Sequence, residues 1–236
     1  MFYWVLKYIV LGPWLFLAGR PTFEGGSNFP KDGAALLAIN HLSAADWLFL
    51  PLRAPRRITF LAKSEYFTGS GLKGRFQRFF FAQTGQVPID RTNADAATDA
   101  METGARVLGE GQILGMFPEG TRSPDGKLYR GKTGIARVAL KSGIPIIPVG
   151  VIGTDKFLRA DSHVPHRAKI RVRIGEPLDV SPWLDRIGDR DAEREITDEV
   201  MRRIQALTGQ EYVPDVYGAV VKEKLSTERE NRSDST

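Results

Sequence analysis

The 236-residue chain carries 33 Lys and Arg against 28 Asp and Glu, a net charge of +5, and is 42% hydrophobic and 26% charged. Those proportions describe a globular chain rather than a disordered one, and the length suits one substantial core. With no cysteine in the sequence, disulfides, thiolate metal sites and cysteine nucleophiles are excluded.

The first predicted element is "MFYWVLKYIVLGPWLFLAG" (1–19), in which Lys7 is the only charge. As a helix it would extend about 27 Å, close to the ~30 Å hydrocarbon core of a bilayer. Pro13 would kink it, and Phe2, Tyr3, Trp4, Tyr8 and Trp14 suit a membrane interface. The basic start and small-residue cleavage site of a secretory signal are missing. These features predict a membrane anchor over residues 1–20, spanning or re-entrant, with the rest of the protein on the cytoplasmic face. The competing reading is a buried core helix.

After the turn-rich "EGGSNFPKDG", short apolar runs predict strands at Ala34–Ile39, Ile58–Ala62, Gln86–Ile89, Ile113–Phe117, Ile146–Val151 and Ile170–Ile174. Several lack polar alternation, as strands buried on both faces do. Helices are predicted at Asn93–Gly109, Gly131–Ser142 and Ala192–Leu207, the last with Ile196, Val200, Ile204 and Leu207 at helical spacing. This alternation predicts an α/β fold, a mixed and largely parallel sheet flanked by helices, over residues 21–225. Residues 226–236, without an apolar side chain, read as a disordered polar tail.

Charge is unevenly distributed. Arg53, Arg56, Arg57, Lys63, Lys73, Arg75, Arg78 and Arg91 face only Glu65 and Asp90, so 53–91 carries 8 − 2 = +6. Such an excess favours a nucleic acid, a phospholipid surface or a phosphorylated substrate, unless it is simply a solvated face. Within it, "LKGRFQRFFFA" (72–82) reads either as a core helix with Phe76, Phe79 and Phe80 inward or as an interfacial helix with Arg75 and Arg78 on phosphates.

Two stretches that follow predicted strands carry the chemistry. In "NHLSAAD" (40–46), His41 falls beyond a strand's C-terminal end, where open α/β sheets bind ligands. Ser43 and Asp46 have the spacing of a capping box, Ser43 as N-cap and Asp46 at N3. An aspartate so held can also accept a bond from the His41 ring, leaving the other ring nitrogen to remove a hydroxyl proton. In "FPEGTRS" (117–123), Pro118 and Gly120 force a tight turn that presents Glu119, Thr121 and Arg122; arginine binds phosphate bidentately. Arg91 in "GQVPIDR" is either a phosphate ligand or a partner of Asp90. His163 and His166, with no nearby carboxylate or thiolate, read as a solvated loop rather than a metal site.

NH-x4-D, then "GQVPIDR", "FPEGTRS" and "IPIIPVG" (144–150), in that order, resemble the glycerolipid acyltransferase family, above all its 1-acyl-glycerol-3-phosphate acyltransferases. The likeness covers roughly residues 34–151, with a weaker echo in "LTGQEYV" (207–213). The resemblance implies that His41 is the general base and Asp46 its orienting acid. It implies that Arg91, Arg122 and Lys63 hold the acceptor phosphate, and that Thr121 of "FPEGTRS" is a further substrate-binding residue. Glu119 and Gly120 would shape the acceptor pocket, and Ile144–Val149 would form its hydrophobic wall. Pro88 departs from the residue many relatives carry there.

The implied reaction moves an acyl chain from acyl-CoA or an acyl carrier protein to the hydroxyl of a lysophospholipid acceptor, lysophosphatidic acid, and yields phosphatidic acid. It needs no metal, no bound cofactor and no covalent intermediate. Alternatives are the same chemistry on glycerol 3-phosphate or another lysolipid, and a non-catalytic protein that binds the anionic bilayer. Nucleic acid as partner fits neither "FPEGTRS" nor the apolar N-terminus.

Overall fold

A computed structural model describes residues 2–89, 96–162 and 164–215. Arg91, His163 and the 226–236 tail lie outside them.

Nine strands are described: β1 (Thr22–Glu24), β2 (Ala35–Ile39), β3 (Ile58–Lys63), β4 (Gln86–Ile89), β5 (Ile113–Met116), β6 (Leu128–Tyr129), β7 (Ile146–Ile152), β8 (Arg171–Ile174) and β9 (Tyr212–Val213). Seven form one sheet in the order β1-β8-β7-β2-β5-β3-β4, and β6 pairs with β9 apart from it. β7, β2, β5, β3 and β4 run parallel, while β8 is antiparallel to β7 and carries β1 parallel to itself at the edge. The predicted mixed, largely parallel sheet is therefore present.

β2 shows why the sheet is central. All five of its residues are buried, and alternate side chains enter different cores, as the two-residue period of a strand requires. Leu36 and Ala38 meet the helices Ala96–Gly109, Gly134–Ser142 and Arg190–Thr208 through Val107, Leu108, Ile135, Val138, Ile196 and Val200. Ala35, Leu37 and Ile39 face a thinner layer containing Leu15, Phe49, Leu50 and Phe157.

The C-terminal helix extends over Arg190–Thr208, slightly beyond its predicted limits, because Asp189 caps its first turn through Asp191 N (2.9 Å) and Gly209 closes its end at φ 71°. The Gly134–Ser142 helix starts later than expected. Lys132 N donates to Pro118 O at 2.8 Å, which ties residues 131–133 to the loop after β5 instead of to a helical turn.

The N-terminal segment is helical over Phe2–Gly19. Just upstream of Pro13, which cannot donate to Ile9, the helix widens to a π-helical turn at Leu6–Val10. Only 22% of the segment is buried, so it is not a core helix. One face docks: Leu15 enters the core, Gly19 abuts the Phe49 ring, and Lys7 Nζ donates to Ala54 O at 2.7 Å. Those contacts come from both halves of the helix. They tie one face of the helix, which is long and apolar enough to cross a membrane, to the domain. Its other face leaves Tyr8, Ile9, Val10, Trp14 and Leu17 exposed.

The 72–82 segment is a helix, Gly71–Gln83, but not a core helix. Its one buried residue is Gly74, and Phe76 and Phe79 are 67% and 48% exposed. The inward-facing reading fails for Phe76 and Phe79, the latter meeting Phe2 of the N-terminal helix with ring centroids 4.9 Å apart, whereas Phe80 is half-buried near the Trp47 ring at 6.4 Å. The two helices meet through this ring pair, and each leaves apolar side chains exposed.

Candidate active site

β2 and β5 are adjacent and parallel, so their C-terminal ends deliver "NHLSAAD" and "FPEGTRS" to the same edge of the sheet. The helix after β2 is one turn long, Asp46–Phe49. His41 lies before it, close enough for Nδ1 to meet Asp46 Oδ2 at 2.8 Å.

Asp46 is buried, and both of its oxygens are engaged. Oδ2 also accepts Leu42 N (2.8 Å) and Ser43 N (3.0 Å), and Oδ1 accepts the hydroxyl of Thr154. The carboxylate therefore meets donors only, and its bond to the ring fixes the proton on Nδ1. In the neutral ring this puts the lone pair on Nε2, and the ring is 19% exposed. Phe117 stacks on that ring (centroids 4.0 Å, planes 20° apart), and Phe60 of β3 stacks on Phe117 at 5.9 Å.

The expected capping box is only half realised. Asp46 reaches back to Ser43 N, but the helix begins one residue after Ala45, and no side chain caps it. Ser43 Oγ instead accepts from Ala45 N (3.2 Å) and donates to Leu158 O (2.7 Å). Ser43 thus secures the loop to a segment more than a hundred residues away.

Glu119 braces the two motifs from beneath. Its oxygens accept His41 N (2.8 Å) and Tyr129 N (3.1 Å), and the residue is buried. Burial pushes its carboxyl up to about 7, against the opposing pull of those two N–H groups. Gly120 makes the tight turn at φ 73°, with its N–H on Phe117 O at 3.0 Å. A Cβ built there would lie 3.1 Å from Lys132 Nζ, so this glycine leaves space for a lysine that the sequence did not single out.

Ser123 N donates to His41 O (2.7 Å), which carries the adjoining, exposed Thr121 and Arg122 beside the histidine loop. Arg122 has no ion-pair partner among the described residues. Lys63 ends β3, exposed on the same sheet edge and two strand spacings from β2, about 10 Å. Ile146, Ile147 and Val149 are buried in β7 beside β2, where they form core rather than an open wall. His166 is exposed.

Two braces escaped the sequence reading. Thr154 holds Asp46 from 108 positions away, and no local pattern announces it. Gln210 accepts from Asn40 Nδ2 (2.8 Å) and donates to Gly126 O (2.7 Å). Its position within "LTGQEYV" was the available clue. Asn40 also exchanges two bonds with Val151, at 2.9 and 2.7 Å.

A sequence profile described as Acyltransferase matches residues 20–152, which contain His41, Asp46 and the whole of "FPEGTRS". The chain belongs to the acyltransferase family. This family member is 33% identical over 184 residues to the 1-acyl-sn-glycerol-3-phosphate acyltransferase of Limnanthes alba, an alignment covering 77% of this chain and 63% of that protein. It is 30% identical over 166 residues to the enzyme of the same name from Bacillus subtilis, covering 70% and 76%. It thus spans less than two thirds of the Limnanthes relative's length. Among solved structures, the 1-acyl-sn-glycerophosphate acyltransferase of Thermotoga maritima superposes with a TM-score of 0.62 at 28% identity, covering 83% of this acyltransferase-family chain and 74% of that one.

Proposed function

We propose that the protein transfers an acyl group from a thioester donor, acyl-CoA or acyl carrier protein, to the free hydroxyl of 1-acyl-glycerol 3-phosphate, forming phosphatidic acid. The observation that carries this reading is the 2.8 Å contact between His41 Nδ1 and a buried Asp46 whose two oxygens are held by Leu42 N, Ser43 N and the Thr154 hydroxyl. His41 Nε2 takes the hydroxyl proton as the oxygen attacks the thioester carbonyl. The tetrahedral intermediate collapses with cleavage of the C–S bond, and the imidazolium returns the proton to the departing thiolate. Arg122 and Lys63 supply positive charge for the acceptor phosphate on the β5 and β3 side of His41, and Arg91 has the same role.

The names of the relatives support this acceptor, and so do the apolar faces that the Phe2–Gly19 and Gly71–Gln83 helices leave exposed. A lysolipid held in a bilayer is reached from such a face, which lies in the interface with its aromatics among the headgroups. Membrane association at the cytoplasmic face belongs to the same reading.

The test is transfer of labelled acyl-CoA to lysophosphatidic acid by wild type and His41→Ala. Loss of general-base help lowers turnover by ~10²–10⁴. Equal turnover by the two proteins overturns the role of His41. Vesicle binding without transfer to any acceptor, glycerol 3-phosphate included, identifies a lipid-binding protein instead.

A further inference from the structure

The His41 loop borders a second feature. Leu42 lines an open cleft of ≈ 890 Å³, together with Gly126 and the Gln210 that braces Asn40. That volume is in the upper range of small-molecule sites. The cleft is bounded by the segment after β7, the start of β8 and the junction between the N-terminal helix and β1. All three lie on the catalytic edge of the sheet, since Ile152 is in register with Arg171 and Arg171 with Thr22.

Its lining is strongly cationic. Arg20, Lys156, Arg167, Lys169 and Arg171 face it, against Asp155 alone. Among the described residues none of the five cations has a carboxylate within 4.0 Å. Arg173, two residues along β8, is by contrast paired with Glu24 at 3.0 Å. Arg20 is also the one non-glycine residue among those described with a positive φ, 40°, at a helix C-cap where glycine would be unstrained. Five unpaired cations in one concavity attract a multiply charged anion.

The sheet order separates this cleft from the charges assigned to the acceptor. Arg122 follows β5 and Lys63 ends β3, on one side of β2. The cleft belongs to β7, β8 and β1, on the other. Acyl transfer from a nucleotide thioester brings two phosphorylated substrates to one base, and His41 at the end of β2 stands between two cationic clusters.

We propose that this cleft binds the phosphates of the acyl donor, a coenzyme A thioester, and holds its nucleotide while the acyl thioester reaches past Leu42 to His41. The proposal rests on the acyl-transfer reading of His41. A concave site of this size suits a nucleotide better than the broad, flat contact of an acidic carrier protein.

The experiment measures binding of CoA, 3′-dephospho-CoA and pantetheine to the full chain in detergent, alongside acyl-CoA kinetics. It compares wild type, Lys156→Gln and the double variant Lys169→Gln/Arg171→Gln, each checked by thermal melting. Charge-assisted phosphate contacts of this kind are each worth about tenfold. We expect the double variant to weaken CoA binding and raise the KM for acyl-CoA at least about tenfold, with kcat and the KM for lysophosphatidic acid within about twofold. Lys156→Gln shifts the same constants less, and supplies the measurement if the double variant does not fold. Wild type should rank CoA above dephospho-CoA and pantetheine. Unchanged acyl-CoA constants in both variants overturn the cleft while leaving the acyl-transfer reading intact. Wild-type CoA binding that the variants lose, without transfer to any acceptor, supports the cleft and overturns the acyl-transfer reading. Two other results also overturn the proposal: a loss confined to acyl carrier protein, and a loss confined to binding of anionic vesicles.

Discussion

The Phe60 ring occupies the space that a side chain at Gly115 would need: a Cβ there would fall 2.5 Å from Phe60 Cε1. The two residues are register partners on neighbouring parallel strands, and the absent side chain lets Phe60 lie flat beneath Phe117, which in turn lies against His41. A position chosen for its lack of bulk thus sets the tilt of the imidazole two rings away.

Gly115→Val should therefore impair catalysis more than binding. Overpacking at this depth costs about 1–3 kcal/mol, readable as a lowered denaturant midpoint. Displacing the stack should reduce kcat about tenfold or more, with smaller changes in KM. Phe60→Leu introduced alongside should restore part of kcat. A double variant no better than Gly115→Val would show that the ring stack does not carry the effect.

Thr154→Val removes the donor to Asp46 Oδ1 and leaves a buried carboxylate oxygen unsatisfied. Hydrogen bonds to charged groups contribute about 1.5–3 kcal/mol. Stability should fall by that order and kcat with it, whereas Thr154→Ser, which keeps the hydroxyl, should stay near wild type. Equal behaviour of the Val and Ser variants would assign Thr154 to packing alone.

Glu119 makes stability depend on pH. Its folded carboxyl is raised from 4.5 to about 7 by burial, so between those values the folded state holds a proton that the unfolded chain releases. The associated stability is complete below about 4.5 and is lost as pH rises through about 7, on the order of 3 kcal/mol in all. Urea midpoints measured from pH 5 to 8 should decline more steeply for wild type than for Glu119→Gln, whatever the variant's absolute stability. Parallel curves would remove Glu119 as the source.

Membrane attachment is tested best without cutting the chain. Leu15 and Gly19 pack into the core, so deleting residues 1–19 exposes the Phe49 surface as well as removing the lipid-facing side. Ile9→Glu with Leu17→Glu changes only exposed positions, 71% and 67% accessible. Each change removes roughly 2 kcal/mol of apolar burial in lipid. The double variant should stay folded and leave the vesicle pellet for the supernatant. Continued sedimentation would move the attachment to the Gly71–Gln83 helix.

The sequence carries the elements of the sheet but not their order. β2, β5 and β7 are legible because strands buried on both faces are apolar without interruption, and such runs survive in a linear reading; β3, β4 and β8 are legible as short apolar-rich runs although each exposes part of its length. β1, only three residues long and half exposed, leaves no such trace, and nothing local marks β8 as antiparallel. His41 and Asp46 were legible because they meet over five residues, within reach of one loop. Thr154 and Gln210 were not, since their partners lie 108 and 170 positions away. The Phe76 and Phe79 pattern leaves two readings open for a different reason. A helix that faces lipid and one that faces a core show the same apolar periodicity, and only the surrounding fold tells them apart.

The wiring of the His41 loop also bears on synthesis. A ribosome-bound chain that has emerged as far as Ile152 already carries every quoted motif from "NHLSAAD" to "IPIIPVG". It holds neither Thr154 for Asp46, nor Leu158 O for Ser43, nor Gln210 for Asn40. The nascent protein would display its acyl-transfer signature well before the imidazole is locked in place. Of these three partners Gln210 is made last, so the brace on Asn40 closes only after those on Asp46 and Ser43 have become available.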